Sequence, residues 1–335
     1  MQHPFLPQLP AAPSLPRLLR LLVVLLPLLA LLPGCSNDDD DPVEIPATPD
    51  KITVPLAASH PEGIQWDAAN QRFIVSSRRE GRIITVKDDS TYTALADDAR
   101  LISTIGLHLD AGRNRVLAAV ADNNFNPART SPATQRKLAA VAVFNATTGN
   151  LLAYTDLGSK AAAYSQHFAN DIAVDAQGNA YITDSFAPVI YKLDLQGNAT
   201  VLLDNAQLSS TTFGLNGIVY HPDGYLLVAK TSDGSLFKVP LSNPAGFTRV
   251  TTTQNLAGAD GLLLSDNQTL LVVAGSQGTV YRLGSTDGWA TAAATGSFVT
   301  GAVSPTTITR RSNDAYVLYP YQPTAPRFAI VKTRF

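Results

Sequence analysis

Cysteine and charge are both scarce in this chain of 335 residues. It has one Cys, which excludes an intramolecular disulfide and a cysteine-based zinc site. Only 16% of the residues are charged, and 25 Lys and Arg stand against 27 Asp and Glu. This balance argues against a nucleic-acid partner, because phosphate binding needs a basic surface. The 22 Gly and 22 Pro are too many for a coiled coil and too few for a collagen-like or disordered chain.

The long apolar run near the N-terminus leads directly to the single cysteine. Arg17 and Arg20 precede the run LLVVLLPLLALLPG, which is short and interrupted by Pro, as in a secretory signal. Residues 32–35, Leu-Pro-Gly-Cys, resemble a bacterial lipobox, in which the Cys is lipidated and becomes the new N-terminus. We therefore predict a lipoprotein signal at 1–34 and acylation of Cys35; the alternative is an ordinary signal peptide with a coincidental Cys.

An acidic, proline-containing segment follows Cys35. Residues 38–41 are four consecutive Asp, and Pro recurs up to residue 49. Such a stretch cannot bury a core, so we predict a solvated tether at 35–50 and a folded domain at 51–335. The segment is similar to the acidic export tags of bacterial surface lipoproteins. The expected location is the bacterial cell envelope, periplasmic or surface-facing, with the lipid anchor as the only membrane contact.

The folded part is built from a repeated unit. Six copies share two apolar runs about a polar turn, which indicates a β-hairpin. Their first residues are Glu62, Ile105, Asn170, Asn216, Asp260 and Pro305. The successive spacings are 43, 65, 46, 44 and 45 residues, and the 65 arises from a polar insertion at 123–137. A period near 45 with about four strands per unit is typical of a propeller blade.

These repeats predict an all-β, six-bladed β-propeller with four-stranded blades. The last unit offers only three strands, and the strand at 51–57 precedes the first unit without a blade of its own. Because an unclosed ring leaves exposed sheet edges, we predict that 51–57 closes the last blade. The insertion at 123–137 is either a lid over the channel mouth or an idle surface loop.

Four of the six starting residues carry side-chain oxygens. In a propeller the innermost strands line the central channel, so residues at their starts converge near the axis on one face. Four oxygens suit one hard cation such as Ca²⁺, with water filling the remaining coordination. Without a cation, Glu62 and Asp260 would repel each other and one would hold a proton. The competing interpretation is that Asn and Asp simply form turns there.

Three histidines are candidates for proton transfer or substrate contact. His60 and His167 precede Glu62 and Asn170 by two and three residues, and His108 lies three residues into the second copy. An imidazole titrates near neutral pH, which suits a proton shuttle. A partly exposed loop histidine is the plainer alternative for His60 and His167, and packing between blades for His108.

Four short motifs occur in a fixed order at the starts of the repeats. PEG at 61–63, ND at 170–171, NG at 216–217 and DG at 260–261 resemble the gluconolactonase and regucalcin (senescence marker protein) family over most of 52–335. The resemblance implies one divalent metal, Ca²⁺ in the first place and Zn²⁺ or Mn²⁺ as alternatives, held by Glu62, Asn170, Asn216 and Asp260. It also implies that Asp171 replaces or orients Asn170, and that Asp260 acts as base or nucleophile.

The text after the ND motif departs from the gluconolactonase pattern. NDIAVDAQGNAYITDS is closer to the lactonase and strictosidine-synthase-like branches, and the latter keep the propeller without the metal ligands. Two functions follow. The first is a metal-dependent hydrolase of a lactone or related ester, acting as a monomer. The alternative is a non-catalytic, surface-anchored propeller that binds a glycan, peptide or partner protein. Two carboxylates clustered at the axis favour the hydrolase, because a binding scaffold has no need of them.

Overall fold

Short β-strands dominate the part of the chain that the structure describes. The computed structural model describes residues 47–335, so Cys35, the signal segment and most of the predicted tether lie outside the described residues. Within residues 47–335 no helix is long and apolar enough to cross a membrane.

Residues 47–335 form twenty-four strands and five short 3₁₀ helices. The strands are β1 (Lys51–Val54), β2 (Ile64–Asp67), β3 (Arg72–Ser76), β4 (Ile83–Val86), β5 (Tyr92–Ala96), β6 (Ser103–Asp110), β7 (Arg115–Ala121), β8 (Ala139–Asn145), β9 (Leu151–Asp156), β10 (Ala169–Val174), β11 (Ala180–Asp184), β12 (Val189–Leu193), β13 (Ala199–Asp204), β14 (Leu215–His221), β15 (Tyr225–Lys230), β16 (Ser235–Pro240), β17 (Thr248–Thr252), β18 (Ala259–Asp266), β19 (Thr269–Ala274), β20 (Thr279–Gly284), β21 (Thr291–Val299), β22 (Ile308–Arg311), β23 (Asp314–Tyr319) and β24 (Phe328–Lys332). The 3₁₀ helices are Ala111–Arg113, Gly158–Ala161, Ala206–Leu208, Pro244–Gly246 and Gly275–Gln277.

The strands are grouped into antiparallel sheets of four, which confirms the predicted all-β class. Each of the first five units runs through its sheet in sequence order, from β2 to β5 in the first and from β18 to β21 in the fifth. In the sixth sheet the order is β1, β24, β23, β22, and Lys51 of β1 lies opposite Val331 of β24. The N-terminal strand is therefore hydrogen-bonded as the fourth strand of the last unit, although it ends at Val54 rather than at 57.

One pairing was not predicted. The outer strands β17 and β21 of the fourth and fifth units pair in parallel, with Thr251 opposite Thr291 and Thr252 opposite Ala292. The two sheets are thereby joined into one sheet of eight strands. The units of this fold are thus not separate along their whole outer edge.

The innermost strands contact one another in the cyclic order β2, β6, β10, β14, β18 and β22, and β22 contacts β2. The approach is close enough to require glycine. A Cβ on Gly217 would lie 2.1 Å from the Asp260 carbonyl oxygen, and one on Gly106 would lie 2.5 Å from the Asn170 carbonyl oxygen. Glycine therefore sets the width of the channel, because any side chain here would push neighbouring strands apart.

The apolar core lies between neighbouring sheets rather than at the axis. Phe73 of the first sheet and Tyr316 of the sixth pack with their ring centroids 5.3 Å apart, in one cluster with Ile52 and Phe328.

The hydrogen-bond register also corrects the predicted start of the sixth copy. The carbonyl of Gly63, the second residue of the first copy, accepts from the amide of Ser76. In the last unit the equivalent bond runs from the amide of Leu318 to the carbonyl of Thr307. Thr307 is therefore the second residue of the sixth copy, which begins at Thr306 and not at Pro305.

Candidate functional site

Three carboxyl groups lie together where the innermost strands begin. Burial raises the pKa of Glu62 well above its usual value, and the charges of Asp260 and Asp171 raise it further against the opposing effect of Arg78. Burial likewise raises the pKa of Asp260 to about 7, with Arg78 opposing and Asp171 adding to the rise. The Asp260 charge acts on Glu62, and the smaller effect of the Asp171 charge is felt by both, so Asp171 lies within electrostatic range of the other two carboxyls. We call Glu62 and Asp260 the carboxyl cluster.

Two carboxamides border this cluster and have a fixed orientation. The hydroxyl of Ser185 donates its one hydrogen to the Leu215 carbonyl oxygen at 2.6 Å, so it accepts from Nδ2 of Asn170 at 2.8 Å. Thr231 donates in the same way to Ala259, and it accepts from Nδ2 of Asn216 at 2.9 Å. The Oδ1 atom of each Asn is consequently the group left to accept a bond from another partner.

Asn170, Asn216 and Glu62 are buried, with 4%, 7% and 6% of their surfaces exposed, while Asp260 is half-buried. The Asn216 side chain also donates toward Asp260 and lowers the pKa of that carboxyl. Asn216 is thus linked directly to the cluster. Asn170 lies at the equivalent start of its own strand, next to Asp171.

Asp171 stands apart from the other two carboxyls in its bonding. Its Oδ1 accepts from its neighbour Ile172, and its Oδ2 accepts from the amide of Ile218 at 3.4 Å, although burial still raises its pKa to about 7. It lines the channel beyond the cluster, within a cavity of about 280 Å³. Asp171 therefore lies between the entry mouth and the interior of the channel.

Arg78, in the loop between β3 and β4, lies above the carboxyl cluster. Its guanidinium is close enough to Glu62 and Asp260 for their charges to raise its pKa, although burial is the larger effect and lowers it. None of the ion pairs within residues 47–335 joins Arg78 to either carboxylate. Its Nη2 lies 2.9 Å from Nε2 of His60, and its Nε is buried with no hydrogen-bond partner.

His60 holds this arginine in place. Burial lowers the pKa of His60 to about 3, and the nearby charges of Arg78 and Arg79 lower it further. The imidazole is therefore neutral at physiological pH and accepts the Arg78 hydrogen bond. The prediction that His60 borders the site agrees with its position, but a proton shuttle does not agree with a pKa this low.

A wall of phenylalanine rings borders Arg78. The Cζ atom of Arg78 is 5.0 Å from the Phe125 ring centroid, and Phe125 is followed by Phe168, Phe186 and Phe213 at centroid distances of 5.0–6.3 Å. Phe168 is buried, and the other three are half-buried. We call these four residues the aromatic wall.

The insertion at 123–137 supplies Phe125 to this wall. Asp122 accepts bonds from the hydroxyls of Thr130 and Thr134, and Asn126 donates to the Ile102 carbonyl oxygen at 2.7 Å. The segment is therefore held at both ends by buried polar contacts. Phe125 packs against His60 and Arg78, so the insertion contacts the residues beside the carboxyl cluster.

His167 lies behind the wall rather than at the channel mouth. Its Nδ1 is 2.8 Å from Oδ2 of Asp184, and its Nε2 is 3.1 Å from the Tyr164 carbonyl oxygen. Burial lowers the pKa of His167, but the Asp184 carboxylate outweighs burial and the net shift is upward. The other oxygen of Asp184 accepts from the amides of Phe168 and Phe186. Asp184 thus holds the backbone of two wall residues, and both ring nitrogens of His167 are engaged by the protein.

His108 faces the far part of the channel. It lines the 280 Å³ cavity together with Gln65 and Tyr220, three or four residues along their strands from the entry mouth. Burial lowers the pKa of His108 to about 4, so the ring is neutral there. Of the two predicted positions for His108, facing the channel or packing between blades, the structure shows the first, and its contact with a substrate stays a prediction.

The donor chemistry of the entry mouth fits a divalent cation. Two carboxyls and two free carboxamide oxygens are the kind of ligand that Ca²⁺ prefers. No group of three or more His, Cys, Asp or Glu side chains within residues 47–335 is by itself arranged to hold a metal. Any such ion would therefore depend on the two Asn residues.

Sequence reasoning missed Arg78, Ser185 and Thr231. A signal for the two hydroxyls is present, because each follows its Asn by 15 residues, directly after the second strand of the repeat. Arg78 has no counterpart in the other repeats and sits in a loop. The one available indication was that its loop follows the second strand of the unit, on the face of the propeller where the innermost strands begin.

Comparison with known proteins places this chain in a family. The model of the SMP-30/Gluconolactonase/LRE-like region matches residues 60–316. A search of curated proteins finds no match to the chain. The solved structure of the major allergen Mala s 1 of Malassezia sympodialis is 17% identical with a TM-score of 0.70, and the match covers 86% of this chain and 97% of that one.

Two bacterial structures show the same fold. A gluconolactonase of Xanthomonas campestris is 16% identical with a TM-score of 0.58, over 85% of this chain and 89% of that one. The virginiamycin B lyase of Staphylococcus aureus is 11% identical with a TM-score of 0.58, over 85% and 98%. Identities this low establish the propeller fold and nothing about the reaction. Because the family model spans most of the described residues, the chain belongs to the SMP-30/gluconolactonase/LRE-like family.

Proposed function

We propose that this protein is a divalent-metal-dependent hydrolase of a lactone or related ester, with Ca²⁺ as the metal. The observation that carries the proposal is the set of acceptor oxygens at the entry mouth. Glu62 and Asp260 contribute carboxyls, and the carboxamide oxygens of Asn170 and Asn216 are left free by the hydroxyls behind them. A turn-forming role would not require those amides to be oriented.

Each residue has a distinct role in this reaction. Glu62, Asn170, Asn216 and Asp260 would hold the cation, which when bound supplies Lewis-acid polarisation of the substrate carbonyl. Asp260 takes a proton from the attacking water, because its carboxylate lies at the entry mouth beside the position that the cation would take. Water oxygen bonds to the carbonyl carbon, the ester C–O bond breaks, and the proton passes to the leaving alkoxide.

The test is a metal and activity measurement on the purified full chain. Calorimetric titration with Ca²⁺ is followed by a panel of lactones and esters with and without a chelator. Asp260→Asn should lower turnover by about 100-fold or more, the usual effect of losing a general base, while the protein remains folded. Asp266→Asn is the matched control, because Asp266 is exposed at the other end of the same strand. A wild-type protein that binds no divalent ion, or an Asp260→Asn variant that stays fully active, contradicts the proposal.

A second candidate function is a non-catalytic binding propeller. The observation in its favour is Arg78, whose positive charge lies near Glu62 and Asp260 and offsets part of their repulsion without a metal. Metal binding with no turnover of any lactone or ester would favour this second function. Chelator-sensitive turnover would remove it.

We further propose that Cys35 is acylated, that residues 1–34 are removed and that the monomeric propeller is anchored in a bacterial envelope. Two or more acyl chains hold a protein stably on a membrane where one is marginal. Mass spectrometry of the mature N-terminus tests this directly. Cleavage elsewhere, or an unmodified Cys35, contradicts it.

A further inference from the structure

Arg78 has more hydrogen-bonding capacity than the protein uses. A guanidinium presents five N–H donors, and the side chain makes one bond, from Nη2 to Nε2 of His60. Its Nε is shielded from solvent without an acceptor. Buried donors in native proteins are nearly always paired, so an unpaired one at a channel mouth points to a partner that is not part of the chain.

The position of Arg78 is fixed before any ligand arrives. His60 accepts its Nη2 at 2.9 Å, and the backbone amide of Arg78 donates to the His60 carbonyl oxygen at 3.3 Å. The Phe125 ring lies against its guanidinium. A guanidinium held in this way is suited to two-point recognition of a carboxylate, because its fork of donors matches the spacing of the two carboxylate oxygens.

The surroundings of Arg78 define the rest of the ligand. The half-buried rings of the aromatic wall begin at Phe125 and offer an apolar surface next to the charge. At the other end of the wall, Arg136 stacks on Phe186 with its Cζ atom 4.1 Å from the ring centroid. A flat apolar group bound on these rings would place an attached carboxylate at Arg78.

We propose that Arg78 is the anion-binding residue of this site and that the substrate is an ester or lactone bearing both a carboxylate and a flat apolar group. The part of this proposal that concerns a reacting ester rests on the proposed function, whereas the part that concerns anion binding at Arg78 does not. The carboxylate accepts from Arg78, the apolar group lies on the aromatic wall, and the ester carbonyl reaches toward Asp260. Glu62 and Asp260 are not paired with Arg78, so its donors remain free for the ligand.

Two probes of the same shape test the anion site. Phenylacetate and phenylacetamide differ only in charge, and calorimetric titration of each into the full chain in Ca²⁺-containing buffer measures the preference. We expect phenylacetate to bind about tenfold more tightly or better, as expected for charge-assisted hydrogen bonds. Equal binding of the two probes, or binding of neither, overturns the proposal without the need for any variant.

Variants then assign the preference to Arg78. Arg78→Met should reduce the preference to within about twofold, and Arg78→Lys should retain part of it, since a point charge replaces the fork. Arg79→Met is the matched control, because it removes the same charge from the adjacent exposed position. A preference that survives Arg78→Met in a folded protein, or that is lost equally in Arg79→Met, overturns the proposal. Failure of Ca²⁺ binding or turnover is measured separately and contradicts the proposed function alone.

Discussion

The two hydroxyls behind Asn170 and Asn216 decide which end of each amide faces the ligand. Ser185 and Thr231 each donate to a carbonyl of the next strand, so each must accept from the amide nitrogen. Two neutral residues that touch no ligand therefore determine whether the mouth presents oxygens or N–H groups. Such outer partners commonly tune metal affinity as much as the ligands themselves.

Thr231→Val should therefore weaken Ca²⁺ binding about tenfold, within the usual range for loss of an outer-shell partner. The isosteric change keeps the volume but releases the Asn216 amide, which is then free to rotate. Calorimetric titration gives the dissociation constant, and Thr211→Val, at an exposed loop position, is the control. An unchanged dissociation constant in Thr231→Val would show that the orientation of Asn216 has no effect on the metal.

His167 makes stability depend on pH. The Asp184 carboxylate raises the folded-state pKa of His167 above its ordinary value of 6.5. A raised pKa means that the folded state binds the proton more tightly, so this contribution is complete below pH 6.5 and is lost as the pH rises through the folded-state pKa. His167→Gln should therefore cost about 1–3 kcal/mol at pH 5.5 and progressively less toward pH 9.

Thermal unfolding across this pH range measures the difference between wild type and His167→Gln. Tyr181→Phe serves as the control, because it removes a buried hydroxyl that donates to a different carboxylate, that of Asp175. Its cost should stay constant between pH 5.5 and 9. A His167→Gln cost that does not change with pH would mean that the imidazole is not charged in the folded protein.

At the scale of elements, the innermost strands are packed against one another with no room for side chains. Gly217→Ala should destabilise the protein by about 1–3 kcal/mol, the usual cost of inserting a methyl group into packed surroundings. Here the clash is with the Asp260 carbonyl oxygen, so the carboxyl cluster should shift as well. Gly112→Ala is the control, since its Cβ would meet nothing nearer than 3.9 Å and it should be neutral within about 0.5 kcal/mol. Equal denaturation midpoints for the two variants would contradict this.

The strands could largely be predicted from the sequence, whereas the contacts between the sheets could not. The period and the polar turns predicted six units of about four strands each, because apolar runs on either side of a polar turn are local signals. The start of the sixth copy was misplaced by one residue, since Pro305 offers no alternation to fix the register. The β17–β21 pairing was invisible, because it depends on how two sheets meet at their outer edges.

The candidate site also has residues that the sequence could predict and residues that it could not. Glu62, Asn170, Asn216 and Asp260 recur at one register of a repeat, so their common position could be inferred from spacing alone. Arg78 and Phe125 occur in loops that have no equivalent in the other units. Their approach to the channel mouth follows from tertiary contacts with His60, and no periodic signal marks it.

At the scale of the whole molecule, the two ends of the described chain are fastened together. Ile52 of β1 is buried with Phe328 and Ile330 of β24, and Lys332 bonds to both Thr48 and Asp314. We expect this pairing to close the ring in solution. Ile52→Asp should release β1, expose the edge of β24 and promote association, because an unpaired edge recruits other strands.

Light scattering and size-exclusion chromatography measure this association. Lys51→Asp introduces the same side chain one position earlier, where the residue is exposed, and should leave the protein monodisperse. If Ile52→Asp stays as soluble and stable as Lys51→Asp, the ring does not depend on β1.

The pairing of β1 with β24 also imposes an order in time. Lys51 is synthesised 280 residues before its partner Val331. At about 5–20 residues per second, β1 waits roughly 15–60 s for the strand that will cover Ile52 and Val54. Until then the growing chain carries an unpaired apolar strand and an incomplete sixth sheet. The ring can close only after the last β-hairpin has been synthesised. A pause or truncation shortly before residue 328 would therefore have the same consequence as loss of the first strand.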